Sequence, residues 1–533
     1  MVGLPNRAAR CGICKRHKIK CDLLHPACSR CKRLNLSCEY PDLQRGQIFI
    51  NRNIENPETK TIDVLSNTST ERRTKPKTQQ ITNHTHVTSA PASFYGIWNN
   101  AIPQTLSEEA VNRLPLLSSF LDVYLPKVNV ATICGQTQAS WINPLHSVNN
   151  TNKFYDWSLK ALCMAQIGLW NEKPDLVKDS HRLYGWALRG LREALSHPKS
   201  EAPEATLATT LLLSTYELFS SSSENGQGWV SHVRGGSWIL RSIDRNVFSS
   251  PVGSLLCPRI RTIHILESIQ SRKTSPLTGL HFNSSVENGT IDINGQLQDL
   301  MIQIPGLLET FDSLALAQLH EISRRTALPS LLQRCSRLEV QLLAWCEVLR
   351  EQVSGPLYSS IDPVAQNPID SSGTRTFPRA FQFPSLNIAQ LLLLYWSALI
   401  ILYRTIQDID KRITEIQVKT GKRRNLSNSP LQDSDFESDL GFSQHPNHSI
   451  SSTVHIASLA NKICQSFEYC YKGTNGTFGI QSTVFPRWVA TDFYASIPEY
   501  HREWAWCQEV DNLTAPGSRF DLRVMKFRCR VEC

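Results

Sequence analysis

The chain has 533 residues and a formal net charge of +9, from 56 lysines and arginines against 47 aspartates and glutamates. This length is ample for a large core, and the first ten residues hold two arginines and no apolar run, which argues against a secreted, disulfide-stabilised protein. Residues 1–40 carry nine Lys or Arg and two Asp or Glu, a net +7, so the other 493 residues carry only +2. Positive charge concentrated in one short segment is typical of a nucleic-acid-binding protein.

The first predicted element is a cysteine motif, C-x2-C-x6-C, that occurs twice between residues 11 and 38. Thiolate favours tetrahedral zinc, and six thiolates can fill the eight positions around two zinc ions only if two of them bridge both metals. The two halves align so that Cys11 and Cys28 are equivalent, which makes them the predicted bridging pair. No position is left for water, so the site is predicted to be structural rather than catalytic. The predicted ligands of the two Zn²⁺ ions are Cys11, Cys14, Cys21, Cys28, Cys31 and Cys38.

Disulfide bonds and an iron-sulfur cluster are the alternatives to zinc for these cysteines. Disulfides suit small secreted domains, for which the amino-terminal residues give no support. Iron-sulfur clusters usually require shorter gaps than the six-residue ones present in this motif. Because some forty residues bury too little apolar surface to fold unaided, we expect metal binding to supply most of the folding free energy of this segment.

The basic residues between the cysteines differ in the two halves. Residues 15–20 read KRHKIK, whereas residues 32–37 read KRLNLS and have lost two lysines and a histidine. Each stretch can form about one and a half helical turns, so the first half is predicted to contact bases and the second to pack and contact phosphate. The predicted DNA contacts are Lys15, Arg16, His17, Lys18, Lys20 and Arg33.

The paired cysteine motif of residues 11–38 resembles that of the fungal zinc binuclear cluster (Zn2Cys6) transcription factors. The resemblance implies that the first cysteine of each half bridges the metals and that Pro26 belongs to the loop between the halves. It also implies recognition of CGG-type triplets in the major groove of double-stranded DNA, with Lys18 as the main base contact. His17 stands where members of that family usually carry Lys or Arg.

Beyond the cysteines the sequence predicts a flexible linker and then a helical region. Residues 43–100 are rich in Asn, Thr, Ser and Pro and show few periodic apolar residues. From residue 101 to 533, apolar residues recur every three or four positions in about ten segments, which predicts a large all-α domain. The predicted helices cover residues 105–125, 155–171, 175–196, 204–221, 227–242, 257–272, 329–354, 385–410, 453–471 and 482–495. The predicted fold is therefore a small metal-stabilised Zn2Cys6 cluster domain (residues 7–42), a flexible linker and a large all-α regulatory domain.

Two stretches of the predicted helical domain need separate interpretation. The apolar run from Ile388 to Tyr403 has sixteen residues, short of the roughly twenty that span a membrane, so it is predicted to be a buried core helix. Residues 411–452 are predicted to form a loop. The acidic residues at 433–440 lie around Phe and Leu and resemble an activation segment, and a solvated loop is the alternative.

A second resemblance lies in residues 214–236. The sequence YELF ends at Phe219 and is followed by W-x-x-H-x-x-G from Trp229, which is similar to the fungal-specific regulatory domain that follows the zinc cluster in many such factors. We expect Trp229, Trp238 and Leu240 to pack a helix, and His232 to be a hydrogen-bonded core histidine.

The interpretation is a nuclear, sequence-specific DNA-binding regulator of RNA polymerase II genes that is not an enzyme. A scan finds no G-x-x-x-x-G-K-[ST], H-E-x-x-H or G-x-S-x-G motif, and most of the ten remaining cysteines are expected to be buried thiols. Its expected partners are double-stranded DNA and co-regulators, with no membrane. A homodimer would bind two triplets and a monomer one, and both stay open. The alternative is a helical enzyme or small-molecule receptor that carries the cluster as an interaction module.

Overall fold

The computed structural model describes residues 14, 28–34, 108–127, 141, 142, 145, 148, 152–196, 203–220, 227–280, 292–316, 321–364, 375–426 and 453–510. The chain divides into two compact units, Met1–Gly96 and Ile97–Cys533. The predicted linker, the acidic residues 433–440 and the carboxyl-terminal residues 511–533 lie outside the described residues.

Helices form most of the described secondary structure, and we number them in chain order. They are α1 (Ser29–Arg33), α2 (Glu108–Tyr124), α3 (Lys153–Trp170), α4 (Pro174–Ser196), α5 (Pro203–Ser220), α6 (Gln227–Ser242), α7 (Gly253–Ser271), α8 (Ile293–Met301), α9 (Ile304–Leu316), α10 (Glu321–Gln352), α11 (Leu386–Leu426), α12 (Thr453–Gln465), α13 (Phe467–Cys470), α14 (Gly476–Ala495) and α15 (His501–Glu509).

Local sequence sets several of these helix ends. Pro174 and Pro203 each begin a helix, where the fixed φ of proline suits the first turn and its missing N–H costs nothing. Asp292 caps α8 by accepting a hydrogen bond from the backbone N–H of Gly295 at 2.9 Å. Helix α7 ends at Arg272, which adopts the left-handed conformation with φ of 54°.

Helix α11 lies at the centre of the helical unit and packs against α10, α12 and α14. Its most apolar stretch is long and apolar enough to cross a membrane, but 89% of that stretch is buried inside the unit. The run from Ile388 to Tyr403 is therefore a core helix, as predicted. Both ends of this run are about 1% exposed.

The predicted loop at 411–452 begins too early, because α11 continues to Leu426. Ile409, Ile413 and Ile416 keep the three- and four-residue spacing of a helix and pack against the core. Arg412 and Glu415, three residues apart on the same helix, form an ion pair at 3.2 Å. Lys411 and Arg412 are exposed, so these charges lie on the outer face of the helix.

The helical unit is not entirely helical, because residues 359–361 (β1) and 380–382 (β2) form a two-stranded antiparallel ribbon. Aromatic residues favour this structure, since they fit the pleated surface of a strand. The ring of Tyr358 lies 4.5 Å from that of Phe381 and 5.6 Å from that of Trp396 on α11. The ribbon thus attaches to the central helix through tilted and edge-to-face aromatic contacts, which a search for helical periodicity does not detect.

Three short helices and one helix break also differ from the prediction. Helices α8, α9 and α15 were not predicted, and α8 and α15 have nine residues each, too few to show much periodicity. The predicted helix at 453–471 is divided at Ser466 into α12 and α13. Helix α10 starts at Glu321 and carries Pro329 inside it.

Helix α2, the first helix described in the larger unit, packs against the start of α14. Gly476 has φ of +61°, and a Cβ atom on it would overlap the backbone carbonyl oxygen of Tyr124. The backbone N–H of Lys127 donates to the carbonyl oxygen of Thr474 at 2.7 Å. The first and last parts of the helical unit therefore close onto each other.

Candidate metal centre and nucleic-acid interface

Three of the six predicted zinc ligands are described, and the structure brings them together. The Sγ atoms of Cys14, Cys28 and Cys31 all lie within 4.8 Å of one another, and the three residues are completely buried. Cys11, Cys21 and Cys38 lie outside the described residues. The three described cysteines, one from the first half of the motif and two from the second, thus form one compact thiol cluster.

The short helix α1 explains why the spacing C-x2-C suits this cluster. Cys28 has extended backbone angles and caps the helix, and its Sγ accepts a hydrogen bond from the backbone N–H of Cys31 at 3.4 Å. The backbone N–H of Lys32 donates to the carbonyl oxygen of Cys28 at 3.0 Å, which closes the first turn. Because residues three apart share one face of a helical turn, both thiols point to the same side.

The distances between the sulfur atoms fit zinc and not a disulfide. Two thiolates bound at about 2.3 Å to one tetrahedral zinc ion are separated by about 3.8 Å. The Sγ atoms of Cys14 and Cys28 are 3.8 Å apart, far beyond the S–S bond length of about 2.05 Å. Soft, buried donors at this separation are the set that zinc prefers.

The opposite face of α1 is basic and exposed. Arg30, Lys32 and Arg33 are all exposed, whereas Cys31 between them is buried. The metal side of the helix is therefore separated from a positively charged outer side that can approach phosphate oxygens. Arg33 is one of the predicted DNA contacts, and Arg30 and Lys32 are exposed beside it although they were not among them. Their signal in the sequence is their position on either side of Cys31, Arg30 directly before it and Lys32 directly after it.

The other predicted DNA contacts are not described. Lys15, Arg16, His17, Lys18 and Lys20 lie outside the described residues, so their roles stay predictions.

The second motif, in residues 214–236, forms a buried polar contact between α4, α5 and α6. The hydroxyl of Tyr184 donates to Oε1 of Glu217 and lies 3.0 Å from Nε2 of His232. Burial raises the pKa of Glu217 and lowers the pKa of His232 to about 4. The ring of Tyr184 also stacks on that of Tyr216, with centroids 4.5 Å apart. His232 is thus hydrogen-bonded, as predicted, although it is half-buried rather than fully in the core.

The prediction that Trp229, Trp238 and Leu240 all pack α6 against the core is wrong for Trp238. Trp229 and Leu240 are buried, but Trp238 is 61% exposed. Trp229, Val233, Gly236 and Leu240 follow each other at three- and four-residue intervals along the buried face of the helix. Trp238 is out of step with that series, so its side chain faces away from the core.

The cysteines of the helical unit are buried, as predicted for those that the structure describes. They are Cys163, Cys257, Cys335, Cys346, Cys464, Cys470 and Cys507. Burial raises the pKa of Cys470 to about 12, which keeps its thiol protonated and unreactive.

Comparisons with known proteins agree with both motifs. A model described as the fungal Zn(2)-Cys(6) binuclear cluster domain matches residues 10–47, and one described as the fungal specific transcription factor domain matches residues 116–440. The first of these domains binds two zinc ions, which the buried thiols of the front unit are suited to hold.

Two curated relatives match short stretches. An uncharacterized transcriptional regulatory protein of Schizosaccharomyces pombe is 28% identical over 149 residues, 27% of this chain and 26% of the relative. An uncharacterized protein of Emericella nidulans is 28% identical over 111 residues, 20% of this chain and 23% of the relative. The chain thus matches about a quarter of the length of each relative. No solved structure matches it.

The second of the two family models covers more than half of the chain, and the cluster model lies in front of it. Together with the buried thiols and the basic helix, these matches show a zinc cluster domain followed by a fungal specific transcription factor domain. The chain belongs to the fungal specific transcription factor family.

Proposed function

We propose that the zinc cluster recognises CGG-type triplets in the major groove of double-stranded DNA and that the chain regulates RNA polymerase II genes in the nucleus. Lys18 makes the principal base contact, and Lys15, Arg16, His17 and Lys20 lie beside it. All six cysteines of the paired motif hold the two zinc ions, with Cys11 and Cys28 as the bridging pair.

The observation that carries this proposal is the division of α1 into two faces. Cys31 and the capping residue Cys28 face a buried thiol cluster, and the basic residues of the helix face outward. A metal-fixed turn with an outward basic face is a rigid support from which side chains can reach DNA. In the first half of the repeat, residues 15–20 supply three lysines, one arginine and one histidine at the equivalent place, a richer set of donors for base edges.

We assign the two halves of the cluster different tasks. Arg33 and its exposed neighbours on α1 contact phosphate and orient the domain, which strengthens binding to every sequence alike. Lys18 donates to the acceptors on guanine in the major groove and selects the triplet. The larger helical unit, assigned here to residues 101–533, follows a linker at 43–100 and regulates transcription by binding partners rather than by catalysis.

The test is selection of bound duplexes from a random DNA pool with the full-length, zinc-loaded protein. The expected result is enrichment of CGG triplets. Two triplets at a fixed separation would indicate a dimer, and a single triplet would indicate a monomer. Enrichment of no sequence, or of one without the triplet, would overturn the proposed specificity.

A matched pair of variants separates base contact from phosphate contact. Lys18→Ala should weaken binding to the selected site by about 1 to 3 kcal/mol and leave binding to random duplex nearly unchanged. Arg33→Ala should weaken both to the same extent and lower the salt dependence by about one unit of slope. Equal losses on both duplexes for Lys18→Ala would contradict its assignment as the main base contact.

A further inference from the structure

A cavity lies inside the helical unit, between helices that are far apart in sequence. It has a volume of about 80 Å³ and is partly open to solvent. Helices α5, α6 and α7 form one side, and α11 and α14 form the other. A molecule bound here would therefore contact side chains of five helices, from Leu218 on α5 to Phe485 on α14.

Most of the cavity wall is apolar. Apolar lining residues come from all five helices and include Leu218, Trp229, Leu266, Leu394 and Phe478. Such a wall favours a ligand with a hydrophobic body.

The polar lining residues are held in fixed orientations by hydrogen bonds. The hydroxyl of Tyr124 donates to Oε1 of Gln481 at 2.6 Å, which directs the donor nitrogen of that amide elsewhere. The amide nitrogen of Gln390 donates to the hydroxyl of Ser482, which in turn donates to the carbonyl oxygen of Phe478 at 2.7 Å. Because the side-chain oxygen of Gln481 accepts from Tyr124, the amide nitrogen is the part of this lining residue that can donate to a ligand.

Arg259 adds a positive charge to the same wall. Its guanidinium carbon lies 5.6 Å from the centroid of the Phe478 ring, which is itself part of the lining. The charge of this group is also felt by Tyr124, whose phenol stays neutral because burial raises its pKa. A guanidinium carries five N–H donors in one plane, so it can serve a ligand and keep its contacts within the protein.

We propose that this cavity binds an amphipathic monocarboxylate, with its carboxylate at Arg259 and Gln481 and its apolar body between Trp229 and Leu394. The site is independent of the proposed DNA specificity, because it lies within the helical unit and its occupancy is measured without DNA.

The experiment measures binding of three probes of equal chain length to the full-length, zinc-loaded protein by titration calorimetry. Decanoate carries a negative head group, decanol a neutral one, and decyltrimethylammonium a positive one. We expect one molecule of decanoate to bind per chain, and decanol to bind about tenfold more weakly, the size of one charge-assisted contact. No saturable binding of any probe, or preference for the cation, would overturn the proposal.

Variants locate the binding in the cavity. Arg259→Gln should remove the preference for decanoate over decanol, because it keeps polar donors and removes the charge. Leu394→Trp and Leu266→Trp fill the space from opposite sides and should each abolish binding of both probes. Leu183→Trp changes a partly buried leucine of α4 that does not line the cavity, and it should bind decanoate like the unaltered chain.

The filling variants keep the test decisive if Arg259→Gln does not fold. Circular dichroism establishes which variants keep the native helix content. Unaltered decanoate affinity in folded Leu394→Trp and Leu266→Trp proteins would place the probe outside this cavity and contradict the proposal.

Discussion

The hydroxyl of Tyr184 donates a hydrogen bond to the Glu217 carboxyl group, which joins helix α4 to helix α5 in the interior of the helical domain. Glu217 is only 7% exposed. A buried carboxyl group is stable only where its oxygens have partners, so this contact fixes how the two helices pack. The backbone of Gly228 on α6 lies directly against the same carboxyl group.

Gly228→Ala should destabilise the helical domain. The added Cβ atom would overlap the carboxyl group of Glu217, which is already held by Tyr184. Relief of the overlap requires either the Glu217 carboxyl group to leave Tyr184 or α6 to move away from α5, and we expect a loss of about 1 to 3 kcal/mol in the free energy of unfolding. Urea titration followed by tryptophan fluorescence measures this loss, and all twelve tryptophans lie at residue 98 or later.

Gly235→Ala on the same helix is the matched control. No atom lies within 4 Å of the position of its Cβ atom, and alanine favours a helix more than glycine does. The free energy of unfolding should stay the same or rise by up to about 1 kcal/mol. Equal destabilisation at both positions would contradict the close approach of Gly228 to Glu217.

His264 should make the helical domain less stable as the pH falls. Burial and the positive charge of Arg234 lower the pKa of His264 from 6.5 to about 4, and Glu267 and Ser268 are its other polar neighbours. Between these two pH values the unfolded chain binds a proton that the folded chain does not. The contribution of His264 is therefore complete above about pH 6.5 and falls by about 1 kcal/mol per pH unit towards pH 4.

The measurement is the free energy of unfolding against pH for the unaltered chain and for His264→Gln. The variant should show a shallower loss of stability below pH 6.5, since glutamine does not titrate. His181→Gln changes an exposed histidine of α4 and serves as the control. Identical slopes for His264→Gln and the unaltered chain would show that His264 does not supply this pH dependence.

Leu399→Ala should test the burial of the central helix. Leu399 is 2% exposed in the middle of α11, so its truncation leaves a cavity and should cost about 2 to 5 kcal/mol. Val418→Ala removes apolar atoms from the same helix where the side chain is 54% exposed, and we expect a change within about 0.5 kcal/mol. Thermal unfolding of the two purified proteins compares them, and a similar midpoint for both would argue that α11 is not a core helix.

Cys31→Ser should reduce bound zinc below two ions per chain and abolish binding to the selected duplex. A serine oxygen is a poor substitute for thiolate, and metal binding is linked to folding of the front unit. Tryptophan fluorescence should stay unchanged, because the helical unit has its own core. Elemental analysis and a gel-shift titration measure the two effects.

Cys335→Ser is the control for loss of a buried thiol. Cys335 lies on α10 of the helical unit, so this variant should keep two zinc ions and full DNA affinity even if it unfolds more easily. Retention of both zinc ions by Cys31→Ser would contradict its role as a ligand.

Much of the candidate metal site could be predicted because its chemistry is local. The spacing of Cys28 and Cys31 places two thiols on one face of a single helical turn, and the structure shows both buried against Cys14. Metal ligation restricts residue type and spacing together, so few other sequences imitate it. The same turn places Arg30, Lys32 and Arg33 on its exposed side, and of these the sequence predicts only Arg33 as a DNA contact.

The rest of the helical domain was predicted less completely because its determinants lie far apart. The core position of Ile388–Tyr403 followed from apolar content alone. The residue type of Trp238 predicts a core position, but Trp238 is not on the buried face of α6. The ribbon at 359–361 and 380–382 depends on rings that meet α11, a contact invisible to local periodicity.

The docking of α14 onto α2 bears on how the chain is shortened for experiments. The family match ends at residue 440, yet helices α12 and α14 that follow it pack on α11, and Gly476 fits against Tyr124 near the beginning of the same unit. A truncation made at the end of the matched region would remove α12 and α14 and expose the apolar surface of α11 that they cover. Loss of activity in such a deletion series would then report a collapsed domain, and assigning a regulatory element to the missing tail would be an error of interpretation.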